Sequence, residues 1–447
     1  MATLNKRPKL PPVRTNEGAP AVRITAEAEL RRSVMSCMLW EKEFYENGVS
    51  ISERIIDLVS KVKPEVAQAI AIEARMNGKL RHVPLLIVRT MAILATHKHL
   101  VADTLVSVIQ RPDEMTEFLS IYFKDDKDQT VSAQVKKGLA RAFCKFDEYS
   151  LAKYNRDGAV KLRDVLFISH AKPKTIDQQE LFKRVAENKL ATPDTWETNL
   201  SAGADKKETW ERLIAEGKLG AMALLKNIRN MEEAKVDRKI VKSAILGADY
   251  KWVLPFRFIS AARFAPAMEP ELEVAMLKNL ENNSKLLGKT ALLVDVSGSM
   301  DSQISDKSDL KRIDAACGLA MVLREVCDEI EIVTFSNQLV TIPSRHGFAL
   351  RDAIVQSQPH GGTELGSAVF YAMNQLKPER LVVISDEQSS TPVPQPNGLA
   401  YMLNVASAKN GVGYGPWVHI DGFSEAVVNY LKGYEELCNN SKNSALE

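Results

Sequence analysis

Between residues 24 and 280, apolar positions recur three and four apart, the period of helices that bury one face. "ITAEAELRRSVMSCMLW" opens on Thr25, a capping residue, with Glu in the first turn. "SISERIIDLVSKV" and "KPEVAQAIAIEARMN" follow, the second with Pro64 near its start and Gly78 just past its end. Proline is tolerated there because a first-turn N–H has no partner inside the helix. "VPLLIVRTMAILATHKHLVADTLVSVIQ" predicts a long apolar helix with Pro84 at its front. "DQQELFKRVAENK", "KKETWERLIAEGK", "GAMALLKNIRNMEE" and "EPELEVAMLKNLENN" predict further helices. Short helices on short turns, without an exact period, suit a helical-repeat array in which each unit covers its neighbour's apolar face.

After "NNSKLLGK" the pattern changes. The strand-like runs "TALLVDV", "EIEIVTFS", "RLVVISDE", "LAYMLNVAS" and "WVHIDGF" now alternate with amphipathic helices. The helices include "SDLKRIDAACGLAMVLREVC", "GFALRDAIVQSQ" and "ELGSAVFYAMNQLK", and a last one runs from Ser424. Alternating βα units predict a mainly parallel, doubly wound sheet with helices on both faces. The expected fold class is multidomain α + α/β. A flexible, polar, Pro-rich tail spans 1–20, a helical array 21–285 and a Rossmann-like domain 286–447.

Composition narrows the setting. A chain of 447 residues, 45% hydrophobic, has apolar material for two or three cores. No run of 18 apolar residues predicts a membrane span, and the N-terminus lacks the apolar core of a signal peptide. Cysteines 37, 144, 317, 327 and 438 are odd in number and scattered, which excludes a CxxC zinc site and a disulfide framework. A reduced, cytoplasmic location and a monomer are expected. The net charge of +2 hides an asymmetry: residues 286–447 hold 12 basic against 19 acidic side chains, and residues 1–285 hold 47 against 38. A polyanion is the natural partner of the basic half; solvated helix faces are the plain alternative.

"TALLVDVSGSM" ends a buried strand in Asp295, Ser297 and Ser299, three hard oxygens from one loop. "HGGTELG" adds Thr363, and "LVVISDE" is a second buried strand ending in Ser385 and Asp386. In doubly wound sheets these strand ends share one edge. Hydroxyls and carboxylates suit Mg²⁺ or Mn²⁺, and so weakly anionic a set leaves the ion positive enough to attract an acid, a phosphate or water. Enzymatic readings fit less well: an aspartyl nucleophile needs D-x-D, and neither G-x-S-x-G nor HExxH occurs. "GVGYGP" reads as a turn. His97 and His99 lie two apart and read as surface histidines.

D-x-S-x-S, the distant Thr and the strand-end Asp together resemble the metal-ion-dependent adhesion site of von Willebrand factor A domains, in that family's order. The resemblance implies metal contact from Ser297, Ser299 and Thr363, with Asp295 and Asp386 often acting through water. Glu364 stands where many A domains have Asp.

The basic half has its own pattern around "QTVSAQVKKGLARAFCKFDEYSLAKYNRDGAVKLRDVLFISHAKPK". Val131, Val135, Leu139 and Phe143 form one stripe, and Lys137, Arg141 and Lys145 another about opposite, with Lys136 beside them. Lys153, Arg156, Lys161, Arg163, His170, Lys172 and Lys174 follow. Such cations suit phosphates, and Arg and His can stack on unpaired RNA bases.

"RDVLFISHAKPK" resembles a signature segment of TROVE-module proteins, the family of the Ro autoantigen; "ETWERLIAEGKLGAMALLKNIRNM" and "VLPFRFISAARF" resemble two others. The resemblance implies a ring of HEAT-like repeats joined by an A domain. It implies Y RNA or Y-like RNA on the outer basic surface, around Lys137, Arg141, His170 and Lys172. It further implies that 3′ ends of misfolded RNA enter the central hole, for RNA quality control with a tethered nuclease. The chain is thus expected to be a non-catalytic RNA-binding ring. The alternative is a metal-dependent protein-adhesion scaffold whose helices bind protein, and a Mg²⁺-supported nuclease is a third.

Overall fold

In the computed structural model, which describes residues 12–35, 48–126, 128–251, 253–278, 285–304, 309–424 and 426–443, the helical half begins where Thr25 caps it. Its Oγ1 accepts from the Ala28 N–H at 3.2 Å. The first helices are α1 (Ala26–Met35), α2 (Gly48–Lys61), α3 (Pro64–Met76) and α4 (His82–Ile93). Then come α5 (Val101–Val108), α6 (Asp113–Tyr122) and α7 (Ala133–Phe143). With α8 (Glu148–Tyr154), α9 (Leu162–Ser169) and α10 (Ile176–Ala186) they share one apolar core, from Leu30 to Val185. Residues 1–11, "SCMLW" (36–40), "NLENN" (279–283) and the Cys438 side chain lie outside the described residues.

The long helix expected over "VPLLI…VIQ" is two. α4 ends at Ile93, Leu94 turns extended, and a 3₁₀ turn at Lys98–Leu100 precedes α5. His97, expected at the surface, sits in that bend only 2% exposed, and burial pulls its pKa down. Buried packing of the bend outweighs continuous helix propensity here.

A second group holds α11 (Trp196–Ser201), α12 (Lys206–Ala215), α13 (Ala221–Glu233), α14 (Arg238–Gly247), α15 (Phe256–Phe264) and α16 (Glu269–Lys278). Its core does not stop at residue 285. It runs from Trp210 through α17 (Arg312–Val326) and α18 (Gly347–Val355) to Leu431 of the C-terminal helix. α15 packs on α17 and α16 on α18. The change of sequence texture near 286 therefore marks a change of topology, while the packing is continuous across it.

The sheet contains β1 (Leu286–Asp295), β2 (Cys327–Phe335), β3 (Leu339–Thr341), β4 (Arg380–Ser385), β5 (Leu399–Asn404) and β6 (Val418–Asp421). Its order is β3-β2-β1-β4-β5-β6, parallel except for the edge strand β3. Three-residue β3 was too short to read from the sequence. Alternate β1 residues serve two cores: Leu292 and Val294 enter the core just described, Ala291 and Leu293 the opposite one under α19 (Leu365–Tyr371). The final helix is α20 (Ala426–Asn443), and among the described residues no helix is long and apolar enough to cross a membrane.

The helical array also meets the sheet domain at its other end. α1 packs on β6, and its Arg32, fully buried, is clasped there. Arg32 Nε donates to the Ala408 carbonyl at 2.7 Å and Nη1 to Glu387 at 3.1 Å. Glu387 also meets His419, whose Nδ1 lies 3.3 Å from Asp421. Gly411 and Gly413 make the room: a Cβ on the first would lie 2.4 Å from the Arg32 guanidinium, and on the second 2.6 Å from the Glu387 carboxylate. Arg54 of α2 adds a bond to the Ser407 carbonyl at 2.7 Å. With α15 and α16 packed on α17 and α18, both ends of the array are held by one domain.

The tail expected to be free over 1–20 is instead docked from residue 12. Arg14 bridges to Pro20, and buried Thr15 donates to the Ser389 carbonyl at 2.8 Å. The Asn16 N–H donates to Gln388 at 2.8 Å and the Val22 N–H to Gly411 at 3.1 Å. Neither a polar composition nor prolines prevent such a turn when another loop supplies acceptors.

Removing the clasp should open the array. Arg32→Met leaves Glu387 buried without its guanidinium partner; a loss of about 3–5 kcal/mol is expected, with faster amide exchange in α1, and an unchanged denaturation midpoint would refute it. A pH dependence follows. Burial alone would raise Glu387, but Arg32 and His419 hold it down at about 2; burial alone would lower His419, but Asp421 and Glu387 raise it to about 9. The Glu387 contribution is full above its ordinary 4.5 and lost as pH falls toward 2. The His419 contribution is full below 6.5 and lost as pH rises through about 9. Exchange in α1, corrected for its intrinsic rate, should therefore quicken from pH 6.5 to 9.

Candidate metal centre and nucleic-acid interface

The strand order reverses at β1, whose neighbours β2 and β4 lead to opposite edges, and crevices open at such switch points. Here β1 ends in Asp295 and β4 runs into Asp386, both fully buried. Asp295 Oδ1 accepts from the Ser297 N–H at 2.8 Å and Oδ2 from Ser385 Oγ at 2.6 Å. The hydroxyl oxygens of Ser297 and Ser299 lie 3.3 Å apart. The loop carrying Thr363 closes on this turn through Gly298 N–H to Gly361 O, 2.8 Å. Thr363 itself is buried, and its carbonyl accepts from the Ser390 N–H at 3.0 Å. The structure thus brings the three predicted segments, with all five predicted metal residues, to one edge.

Two buried carboxylates side by side repel. Burial first, and Asp386 second, push the Asp295 carboxyl well above its ordinary range. A divalent cation among these oxygens would relieve both effects, so the residues present fit Mg²⁺ or Mn²⁺. Three supporting residues were not legible in the sequence. Arg312, at the start of α17, places Nη1 3.5 Å from Asp386 Oδ2, which keeps the donor set weakly anionic. Ser336 accepts from the Gly361 N–H at 2.7 Å and Asn337 from the Gly362 N–H at 2.8 Å, fixing the Gly-rich loop to the end of β2. Only pairing across the sheet gives them these positions.

Glu387 follows Asp386 with φ +60, a left-handed conformation that costs a non-glycine residue about 1 kcal/mol or more. The kink sends consecutive carboxylates to different tasks, Asp386 to the oxygen-lined edge and Glu387 to the Arg32 clasp. Glu387, His419 and Asp421 could by spacing hold a metal themselves, but the Arg32 guanidinium already supplies their cation.

On α7, Ser132 accepts from the Val135 N–H and starts the helix. Val135, Leu139 and Phe143 are fully buried as the stripe predicted, and Val131 packs beside them before the cap. Gly138 lets α7 lie close on α5, where a Cβ would stand 2.9 Å from Leu105. Lys137 and Arg141 are exposed and Lys136 half-buried. Arg141 pairs with exposed Asp103 across α5. Lys145 is engaged differently: its Nζ donates to the Val106 and Ile109 carbonyls at 2.9 and 2.6 Å, capping α5.

The end of α7 abuts the loop after α9. Cys144 Sγ donates to the Lys172 carbonyl at 3.6 Å, and Gln178 donates to the Cys144 carbonyl at 3.1 Å. His170 ends α9 at φ +53 and is exposed, as are Lys172 and Lys174. The two predicted basic segments therefore abut, and cations are exposed on both sides of the contact. Sequence reading marked Arg163 but missed Phe167, which is 53% exposed with Arg163 5.6 Å above its ring. Its only signal was an aromatic off the buried stripe of α9.

The chain can now be set beside known proteins. Residues 183–262 match the family described as the TROVE domain, and residues 289–397 the Ro60 vWA domain. The crystal structure of Deinococcus radiodurans RO (RSR) protein superposes with a TM-score of 0.56 at 17% identity, covering 90% of this chain and 97% of that one. At that identity the likeness is of fold. Telomerase protein component 1 is 31% identical over 90 residues in Mus musculus and 33% over 94 in Rattus norvegicus. Each match spans 19% of this chain and only 3% of the relative's length. Segments of both modules that its motifs resemble are thus matched, in the expected order.

Proposed function

We propose that this chain is a non-catalytic RNA-binding ring that holds a structured, Y-like small noncoding RNA on its outer basic face. The observation that carries this reading is the exposure of Lys137 and Arg141 on α7 and of His170, Lys172 and Lys174 in the loop that abuts the end of α7 at Cys144, in a chain with a TROVE segment. Rigid cations of this kind grip phosphates whatever the base sequence. The exposed Phe167–Arg163 pair adds a stacking surface suited to unpaired bases. In the same reading the ring admits the single-stranded 3′ ends of misfolded RNA, and the chain serves RNA quality control or scaffolds an RNA-processing partner.

The oxygen-lined edge takes Mg²⁺ or Mn²⁺ in this proposal. Ser297, Ser299 and Thr363 would contact the ion, with Asp295 and Asp386 balancing its charge, and its open position would take an acidic side chain of a partner such as a nuclease. A second reading, a metal-dependent protein-adhesion scaffold, is favoured by one feature. An apolar groove of about 620 Å³ lies between Phe370 and Pro392, next to the loop that holds Thr363.

Two measurements decide between them. With six to ten phosphate contacts, affinity for a structured RNA should fall roughly 10³–10⁵-fold between about 50 and 200 mM salt. Lys137→Ala with Arg141→Ala should reduce the salt slope by about two. Because the Arg141–Asp103 pair is exposed on both sides, its loss should change stability by no more than about 1 kcal/mol. A folded double mutant with unchanged RNA affinity would remove this face. For the metal, Mg²⁺ at a hundredfold excess over its Kd should add roughly 2.7 kcal/mol to unfolding, reversed by EDTA and absent in Thr363→Val. A melting curve indifferent to Mg²⁺ would refute the site.

A further inference from the structure

A cavity of about 310 Å³ opens between α13 and α15, in the region of the TROVE match. Three cations line it, Lys226, Arg229 and Arg257. The most deeply buried arginines of the molecule each have a carboxylate: Arg32 has Glu387, Arg75 has Glu114 and Arg380 has Glu435. Arg257 is half-buried beside the Phe256 ring, burial pulls its pKa down, and among the described residues no carboxylate pairs with it. Lys226 is depressed by burial and then by the charges of Arg257 and Arg111; it has no described acid partner either. Arg229 reaches only Glu233, one turn along at 3.5 Å, where both side chains are more than half exposed. A pair of that kind is held weakly. The one acidic residue among the described lining residues, Asp309, is exposed, and its carbonyl takes a bond from Arg263.

Positive charge gathered in a concave site with so little described acid suits a compensating anion from outside. Asn230 and Ser260 add neutral hydrogen-bonding groups to the wall. Phe264, 39% exposed, offers a ring face with Arg229 5.4 Å above it, which suits a nucleobase. The volume is at the small end for ligand pockets, roughly 300–1,000 Å³, so it suits one terminal group better than a running strand. A phosphate monoester carries about −1.5 to −2 charges and three acceptor oxygens at neutral pH, against a single charge on each linking phosphate of a strand.

We propose that this cavity is a phosphate-monoester site that takes the phosphorylated end of a single-stranded RNA, with Lys226, Arg229 and Arg257 on the phosphate and Phe264 under the terminal base. The RNA as source of that end rests on the reading above; the anion site stands on its own geometry.

The test uses the full chain and a labelled oligoadenylate made with a 3′-phosphate, a 5′-phosphate or hydroxyls at both ends, read by fluorescence anisotropy. Adenosine monophosphate and inorganic phosphate serve as competitors. At least one phosphorylated end should bind about tenfold more tightly than the hydroxyl form, as expected for charge-assisted bonds to one added group. Lys226→Gln with Arg229→Gln, both exposed positions and checked for folding by circular dichroism, should erase that gap. Lys137→Ala with Arg141→Ala should leave it. Equal affinity for all three ends, or a gap that survives Lys226→Gln with Arg229→Gln, overturns the proposal. Saturable binding of adenosine monophosphate without any oligonucleotide binding would reassign the site to a free nucleotide and overturn the RNA reading instead.

Discussion

The buried pairing of Arg32 with Glu387 is the contact on which the shape of the molecule depends. A helical array has two ends, each with an apolar face to cover. Here the far end is covered by a shared core, with α15 and α16 lying against α17 and α18. The near end is covered by a polar clasp in which one guanidinium meets two carbonyls and a carboxylate. The two solutions differ in kind. Apolar packing tolerates small shifts of register, whereas a fully buried ion pair has one satisfactory geometry and punishes departures from it. Closure through the clasp therefore specifies where α1 sits more sharply than closure through grease would.

The clasp and the candidate metal centre are neighbours because a single kink separates them. Asp386 and Glu387 leave the end of β4 in opposite directions, and the left-handed backbone at Glu387 makes this possible. Ser385, just before them, ties Asp295 in place and also accepts from the Glu387 N–H at 2.9 Å. Four consecutive residues, 385–388, thus serve the β1–β4 pairing, the oxygen-lined edge, the array closure and the docked N-terminal turn. Such density of roles is what a switch point of a doubly wound sheet provides, since loops from both halves converge there.

The cations of the helical half divide by their surroundings. Those on α7 and the loop after α9 stand in solvent, where their fields are screened over about 8–10 Å, an arrangement suited to a broad polyanion. Lys226 and Arg257 stand in a concavity where no described acid pairs with them, and there the same charge is felt at shorter range and more strongly. Lys145, read as part of the first group, belongs to neither, because its ammonium closes the end of α5.

Much was legible because it is local. The period of apolar residues placed most of the helices, the runs ending in Asp295 and Asp386 placed the central strands, and D-x-S-x-S with Thr363 pointed to the oxygens that meet at the sheet edge. Local rules failed where a distant segment intervened. The bend at Leu94–Leu100 buries His97, and the N-terminal turn found acceptors on residues 388, 389 and 411. "GVGYGP" looked like an ordinary turn, yet its Gly411 clears space for the guanidinium of Arg32, nearly 380 positions earlier, and its Gly413 for the Glu387 carboxylate. The chain by itself determined which segments are helix or strand and which oxygens end the strands, since periodicity and side-chain chemistry act over a few residues. Which charges are paired and which are left open was decided only in three dimensions. Compensation is a matter of angstroms between elements, and no spacing along the chain encodes that Arg32 has a carboxylate while Arg257 has none among the described residues.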